Sequence, residues 1–339
     1  MSAPTTDRPP EASPPGATAG SAAGGDSGVV PPPVRQRRRP DPGHGRGILP
    51  YALVLPALLA IAAVYFYPLF RTVVMSFQDY RRRHLWSGDA PDWVGFDQFT
   101  NIFSDSHFWG VTLKTVVFMV VCVVLTMSLG LLIALIMQRM SAWVRLLVTF
   151  ALITAWAMPV IVATSIFRWL SDSEYGLFNN LLSRIPGLDF RGHNWFLETW
   201  QGFTVIAAVV VWGAIPFVAV TLYAALTQVP KELVEAARLD GAGPLGIFTN
   251  VVFPVIKPVF QLVATLSVIW DFNVFVQIFL MRGNNVEPQY EVLGIYSFQL
   301  AFQSASFSQG TAVALVAVLL LSGVAVYYLR QLMRRGEVE

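Results

Sequence analysis

Six apolar runs alternate with polar stretches along the 339 residues, at roughly 48–70, 111–137, 146–168, 202–225, 255–281 and 310–330. Each is close to the ~20 residues that cross ~30 Å of hydrocarbon as a helix rising 1.5 Å per residue. The pattern therefore predicts an all-α integral membrane protein with about six transmembrane helices, and an even count puts both ends of the chain on one side. Residues 1–47 differ: they are rich in Pro, Gly, Ala and Ser and almost free of large apolar side chains, a composition that predicts a disordered tail. The first apolar core begins too far from Met1 for a signal peptide, so the tail reads as uncleaved and cytoplasmic. The expected organisation is a tail at 1–47, a transmembrane domain at 48–335 and a short cytoplasmic end at 336–339.

One polar interruption carries more pattern than a connector needs. Residues 235–254 read EAARLDGAGPLGIFTNVVFP and lie between the fourth and fifth apolar runs. Pro230 suits a helix start, where its missing N–H costs nothing, and no breaker follows from Lys231 to Leu239. The spacing predicts a helix of about two and a half turns. At 100° per residue Leu233, Ala236, Ala237 and Asp240 share one side, while Lys231, Glu235 and Arg238 face away and can pair at i,i+3 and i,i+4. Gly241 and Gly243 then permit positive φ and a tight reversal, Pro244 stops the first helix from continuing, and a second segment runs from Leu245 to Pro254.

Composition agrees with the apolar pattern: 55% of residues are hydrophobic and 13% charged, with the charges gathered between the runs, as in membrane proteins rather than soluble domains. Positive side chains orient the spans. Arg35, Arg37, Arg38, Arg39 and Arg46, then Arg139, Arg145, Lys231, Arg238, Lys257, Arg330, Arg334 and Arg335, all fall on one side, which the positive-inside rule makes cytoplasmic. The arginine run before the first span reads as a topogenic signal rather than a nucleic-acid site. The opposite loops are longer and hold Trp86, Trp93, Trp109, Trp169, Trp195 and Trp200 in them or at adjacent helix ends, where indoles anchor to the interface. The single cysteine, Cys122, lies inside an apolar run and four scattered histidines show no ligand spacing, so neither a disulfide framework nor a metal cluster is expected.

The order Glu235-Ala236-Ala237, three residues, Gly241, then an apolar stretch ending at Pro254 resembles the EAA loop of permease subunits in binding-protein-dependent ABC importers. Further segments resemble the maltose- and glycerol-phosphate-type sugar permeases within that family: Tyr67-Pro68, Ser76-Phe77, Val94-Gly95-Phe96, Phe108-Trp109, Gly130-Leu131, Met158-Pro159, and Gly176 with Asn179. The likeness spans about residues 48–335. It departs at Met281-Arg282-Gly283-Asn284-Asn285, where such permeases usually read something like Thr-Gly-Gly-Pro. The resemblance implies a non-catalytic permease of the bacterial plasma membrane that moves a carbohydrate delivered by an extracytoplasmic sugar-binding protein. It also implies a second permease subunit and a separate ABC ATPase, into whose cleft the EAA coupling helix fits through Glu235, Ala236, Ala237, Asp240 and Gly241.

No phosphate-binding G-x-x-x-x-G-K-[ST] loop, zinc-protease motif or nucleophile elbow occurs in the sequence, so no catalytic residue and no cofactor is expected. Two other classes stay open: an ion- or proton-coupled carrier using Asp271, and a membrane-embedded enzyme, for which Asp271 shows no evident partner in its own run. The most polar stretch at membrane depth is residues 270–277. On a continuous helix Trp270, Asn273 and Gln277 fall within ~60° of each other, an indole beside two amides, which suits a sugar's C–H face and hydroxyls. The same amides would equally serve as bonds between transmembrane helices.

Overall fold

The computed structural model describes residues 49–283 and 285–336; the tail read at 1–47 and residues 337–339 lie outside them. The chain divides into two compact units after Ala57, and of the first unit only the opening of α1 is described. Helix α1 (Leu49–Ile61) widens into a π-helical turn at Ala62–Phe66 before α2 (Tyr67–Ser76). That turn lies just ahead of Pro68, whose missing N–H and ring disfavour a regular α turn there. The segment long and apolar enough to cross runs from Leu53 to Ser76, further along than the expected 48–70.

Outside this span a two-stranded hairpin, β1 (Gln78–Asp79) against β2 (Asp92–Trp93), encloses α3 (Arg82–Ser87) and leads to α4 (Asp97–Ser104). The Asp105 carboxylate accepts the His107 N–H at 2.9 Å and starts α5 (Ser106–Arg139), an N-cap of the usual kind. Next come α6 (Ala142–Trp156) and α7 (Val160–Leu170), bent by 95° at the break between them. The straight third span expected at 146–168 is therefore corrected to a bent pair. Pro159 cannot donate to the preceding turn, and Met158 is pushed out of the helical region by the proline after it.

Helix α8 (Leu177–Leu182) sits in the loop after α7, and α9 (Thr199–Leu226) is long and apolar enough to cross a membrane. Then follow α10 (Lys231–Leu239), α11 (Pro244–Ile247), a second π-helical turn at Phe248–Val252, and α12 (Phe253–Phe272). This π turn too falls directly before a proline, Pro254, and Phe253 N–H reaches back to the Phe248 carbonyl. The chain ends through α13 (Val276–Arg282), α14 (Leu293–Phe298), a π turn at Gln299–Gln303 and α15 (Phe307–Gly336). Among the described residues five helices are long and apolar enough to cross a membrane, or six if the bent pair is one span.

Helix α9 is the hub: it packs against α5, α6, α7, α12 and α13, most extensively against α5. Lipid supplies no hydrophobic drive between helices, so close van der Waals approach must do that work, and small residues permit it. A Cβ on Gly130 of α5 would stand 2.6 Å from Val218 Cγ1 of α9 and 3.4 Å from the Ala219 nitrogen. Met127, Ala134, Val218, Leu222, Ile256 and Val263 then fill the seam between α5, α9 and α12. The first span is the opposite case, with Leu58 to Arg71 all exposed in the isolated subunit.

Candidate functional site

Helix α10 occupies the residues that the pattern predicted, Lys231 to Leu239, with Pro230 at its N-cap. Glu232 in the first turn and Arg238 in the last oppose the helix dipole in the stabilising sense. At the other end Gly241 takes φ +82°; its N–H bonds the Arg238 carbonyl at 3.0 Å, and the Ala242 N–H bonds the Ala237 carbonyl at 3.0 Å. These are the two bonds of a Schellman cap, which asks for a residue without a Cβ at the left-handed position. Gly243 has φ −71°, so the expectation of a positive φ there is corrected. One left-handed residue suffices for the reversal.

The faces of α10 also differ from the expected division. Glu232, Leu233, Ala236, Leu239 and Asp240 are exposed, whereas Val234 and Ala237 are half-buried. Ala236 and Asp240 therefore lie outward as expected, and Ala237 turns inward. Leu239, 89% exposed, and Leu233, 49% exposed, make the outward face apolar as well as small. Leu239 escaped the sequence reading, although its spacing of three from Ala236 puts it ~60° from that residue on the helix. The expected pairing of Glu235 with Lys231 or Arg238 is not formed: none of the three takes part in an ion pair among the described residues. All three instead line a cavity of about 1210 Å³ behind the helix, closed by the ends of α5 and α9 and by α11. The expected second segment, Leu245 to Pro254, is no separate element either, since α11, the π turn and α12 run on as one membrane-length helix.

In the fifth span the helix expected through residues 270–277 is interrupted. Helix α12 ends at Phe272, Asn273 caps it at φ −94° and ψ 26°, and α13 begins at Val276, although Pro244–Arg282 still forms one membrane-length stretch. Trp270 is half-exposed and meets the Phe217 ring edge-on at 5.2 Å, and Phe217 stacks on Trp156 at 6.2 Å. The exposed Asn273 returns its amide N–H to the Ile269 carbonyl at 2.8 Å, helping to end α12. Gln277 is half-buried on α13. What the structure assembles is an aromatic row from α6, α9 and α12, of which the sequence reading had only Trp270. Asp271 is buried within the subunit, and its Oδ2 has no hydrogen-bond partner; the buried Thr126 and Ser267 hydroxyls share that condition.

The segment that departs from the sugar-permease pattern is tightly held. Arg282 lies between the Phe196 and Tyr290 rings, 4.7 and 4.8 Å from their centroids, and its guanidinium binds Glu287. That hydrogen bond holds the Glu287 carboxyl below the usual range. Its contribution is present above the ordinary carboxylate pKa and is lost as pH falls through the lowered value. The buried Tyr290 donates to the Phe196 carbonyl at 3.0 Å, Lys114 to the Pro288 carbonyl at 2.6 Å, and His107 Nε2 stands 2.6 Å from Glu291 Oε2. Trp195, among the outer indoles, spends its N–H on Asn179 Oδ1 at 2.7 Å. Trp86 and Trp200 remain exposed.

Residues 127–336 match the family described as "Binding-protein-dependent transport system inner membrane component". The chain is 35% identical over 292 residues to the diacetylchitobiose uptake system permease protein DasB of Streptomyces coelicolor, covering 86% of this chain and 89% of that protein. It is 30% identical over 288 residues to the sulfoquinovosyl glycerol transport system permease protein SmoG of Agrobacterium fabrum, covering 84% and 91%. Among solved structures, a chain of a bacterial ABC transporter involved in the import of the acidic polysaccharide alginate superposes with a TM-score of 0.70 at 21% identity, covering 83% of this chain and 95% of that one. At that identity the likeness is one of fold.

Proposed function

The chain belongs to the inner-membrane components of binding-protein-dependent transport systems, and from that premise we propose that it carries a glycoside or oligosaccharide through an ABC importer, coupled to the ATPase by the outward face of α10. The observation that carries the coupling role is the geometry of that helix. A short, capped helix presents Leu233, Ala236, Leu239 and Asp240 to the outside with nothing of its own chain covering them. Large exposed apolar side chains on a polar loop mark a surface that another protein covers. Relatives named for diacetylchitobiose and sulfoquinovosyl glycerol uptake favour a sugar cargo, delivered by an extracytoplasmic binding protein and passed between this subunit and a second permease. Domain boundaries follow: a cytoplasmic tail at 1–47, the transmembrane permease at 48–335, a cytoplasmic end at 336–339.

The test is uptake of labelled oligosaccharide into vesicles holding this subunit with its partner permease, ATPase and binding protein. Uptake should require ATP and every component. Uptake by this chain without the ATPase would overturn the reading in favour of a carrier using Asp271.

Orientation is part of the same proposal, because α10 reaches an ATPase only from the cytoplasmic side. A reporter fused after Arg335 should be active only in the cytoplasm, and one inserted at Gly88, whose φ of +74° marks an exposed turn without a Cβ neighbour, only outside. The reverse labelling would remove α10 from the cytoplasm and sink the coupling role.

For the substrate path we place Trp270, Asn273 and Gln277 beside the aromatic row. Trp270→Ala should reduce uptake more than Asn273→Ala, since the Asn273 amide already serves the Ile269 carbonyl. Losing a stacking ring or a hydrogen bond at about 1–2 kcal/mol predicts roughly 5- to 30-fold weaker uptake with assembly intact. Variants that fail to assemble, yet transport normally once assembled, would make these residues helix contacts instead.

A further inference from the structure

We propose that the cavity behind α10 is a binding site for one anionic phospholipid, its phosphate held by Arg139, Arg145, Lys231 and Arg238 and an acyl chain laid along the apolar wall. The inference rests on the cytoplasmic placement of α10 argued above. Four cations from three separate elements line this single cavity of about 1210 Å³, against one acid, Glu235. Among the described residues none of the five takes part in an ion pair. The Arg145 guanidinium lies over the Tyr223 ring, 5.6 Å from its centroid, which holds it in place without neutralising it.

Positive residues at the cytoplasmic ends of spans ordinarily point apart into solvent and serve topology alone. Here four of them line one cavity, and like charges facing one space repel unless an anion lies between them. The remaining lining decides which anion. Leu135, Leu226, Val252 and Phe248 give the cavity an apolar wall, which gives nothing to a free phosphate and matches a hydrocarbon chain. Basic pockets between spans on the cytoplasmic side are where acidic headgroups dock. The ATPase is the other candidate, since Lys231, Glu235 and Arg238 are themselves exposed; but Leu239, the most exposed apolar side chain of α10, lies outside the cavity lining, which leaves the ATPase a contact surface of its own. A lipid seated here would prop α10 from its inner side, at Val234.

The experiment uses the complete importer, purified and incubated with phosphatidylglycerol or with phosphatidylcholine of the same chain length, and counts retained lipid by native mass spectrometry. Wild type should retain phosphatidylglycerol preferentially. The paired variant Arg139→Gln with Arg145→Gln should lose that preference by about 10-fold or more, on the scale of two interfacial cations. Arg139→Lys with Arg145→Lys should keep most of it, and Arg184→Gln in the outer loop should keep all of it. Equal retention of the two lipids by wild type, or an unchanged preference in the Gln pair, overturns the site. Millimolar glycerol 3-phosphate displacing the lipid would show a soluble-phosphate site, and lipid held by the permease pair alone but lost from the complete importer would assign the cavity to the ATPase; either overturns the lipid assignment. ATPase copurification, measured on the same samples, separates the two readings. It should be insensitive to the Arg139 and Arg145 changes, whereas a failed coupling role would appear as copurification insensitive to Gly241→Asp.

Discussion

Gly241→Asp and Ala236→Trp should each leave the subunit inserted at normal abundance and cut ATP-driven uptake by about 10-fold or more. At Gly241 the backbone sits at φ +82° with open space where a Cβ would point. The cost of aspartate is therefore conformational, about 1–2 kcal/mol for a left-handed residue with a side chain, together with a charge placed where the ATPase should make contact. At Ala236 the methyl is exposed, so an indole strains nothing within this chain and can act only through what covers the helix. Copurification of the ATPase, and ATP hydrolysis stimulated by loaded binding protein, should fall in parallel with uptake. Leu239→Asp should behave the same way, since this 89% exposed leucine is the most exposed apolar group on that face. Glu235→Gln should be mild, because no ion pair within α10 depends on it. Normal uptake with both tryptophan at 236 and aspartate at 241 would reduce the hairpin to a connector.

Gly130→Val should act at the other end of the scale, on assembly of the spans themselves. Even a Cβ would approach Val218 Cβ to 2.9 Å and Val218 Cγ1 to 2.6 Å, nearer than side-chain carbons tolerate, on the seam that joins the hub α9 to α5. Overpacking of this kind costs about 1–3 kcal/mol per site, a large share of the margin of a typical domain. Steady-state level and thermal midpoint in detergent should both drop. The sharper measurement is a cycle with Val218→Ala, which vacates the volume. Gly130→Ala alone should destabilise, and Gly130→Ala with Val218→Ala should recover most of the loss. Strict additivity of the two changes would mean that the contact does not limit the packing.

How far the sequence could be read depended on whether the signal was local. The apolar runs and the bounds of α10 were legible, because span length and an uninterrupted segment between Pro230 and Gly241 are local properties. So was the left-handed Gly241, one residue past a polar helix end. The break at Asn273-Val274-Phe275 was not, since no proline or glycine marks it. Val274 is buried in the core around α9 while Asn273 turns back on its own helix, and tertiary packing overrode a helix-compatible stretch. The 95° bend announced itself at Met158-Pro159, but a proline tells where a helix stops and not in which direction the chain resumes. The inward turn of Ala237 was hidden for a similar reason. The periodicity of α10 separates its faces, but only the cavity between α5, α9 and α11 shows which face belongs to the subunit.

The unbroken run from α11 through the π turn into α12 makes the end of the α10 hairpin one arm of a lever. About 29 residues from Pro244 to Phe272 at ~1.5 Å each give an arm of roughly 43 Å. A tilt of about 5° at its α10 end would then sweep the other tip by about 4 Å, between the small shifts and the one-turn steps by which packed helices move. That tip is where Trp270 meets Phe217 and where the backbone yields at Asn273. With α10 against the ATPase and the aromatic row along the path, as proposed, a small stroke at one end of this arm would be geared to the place where cargo would pass.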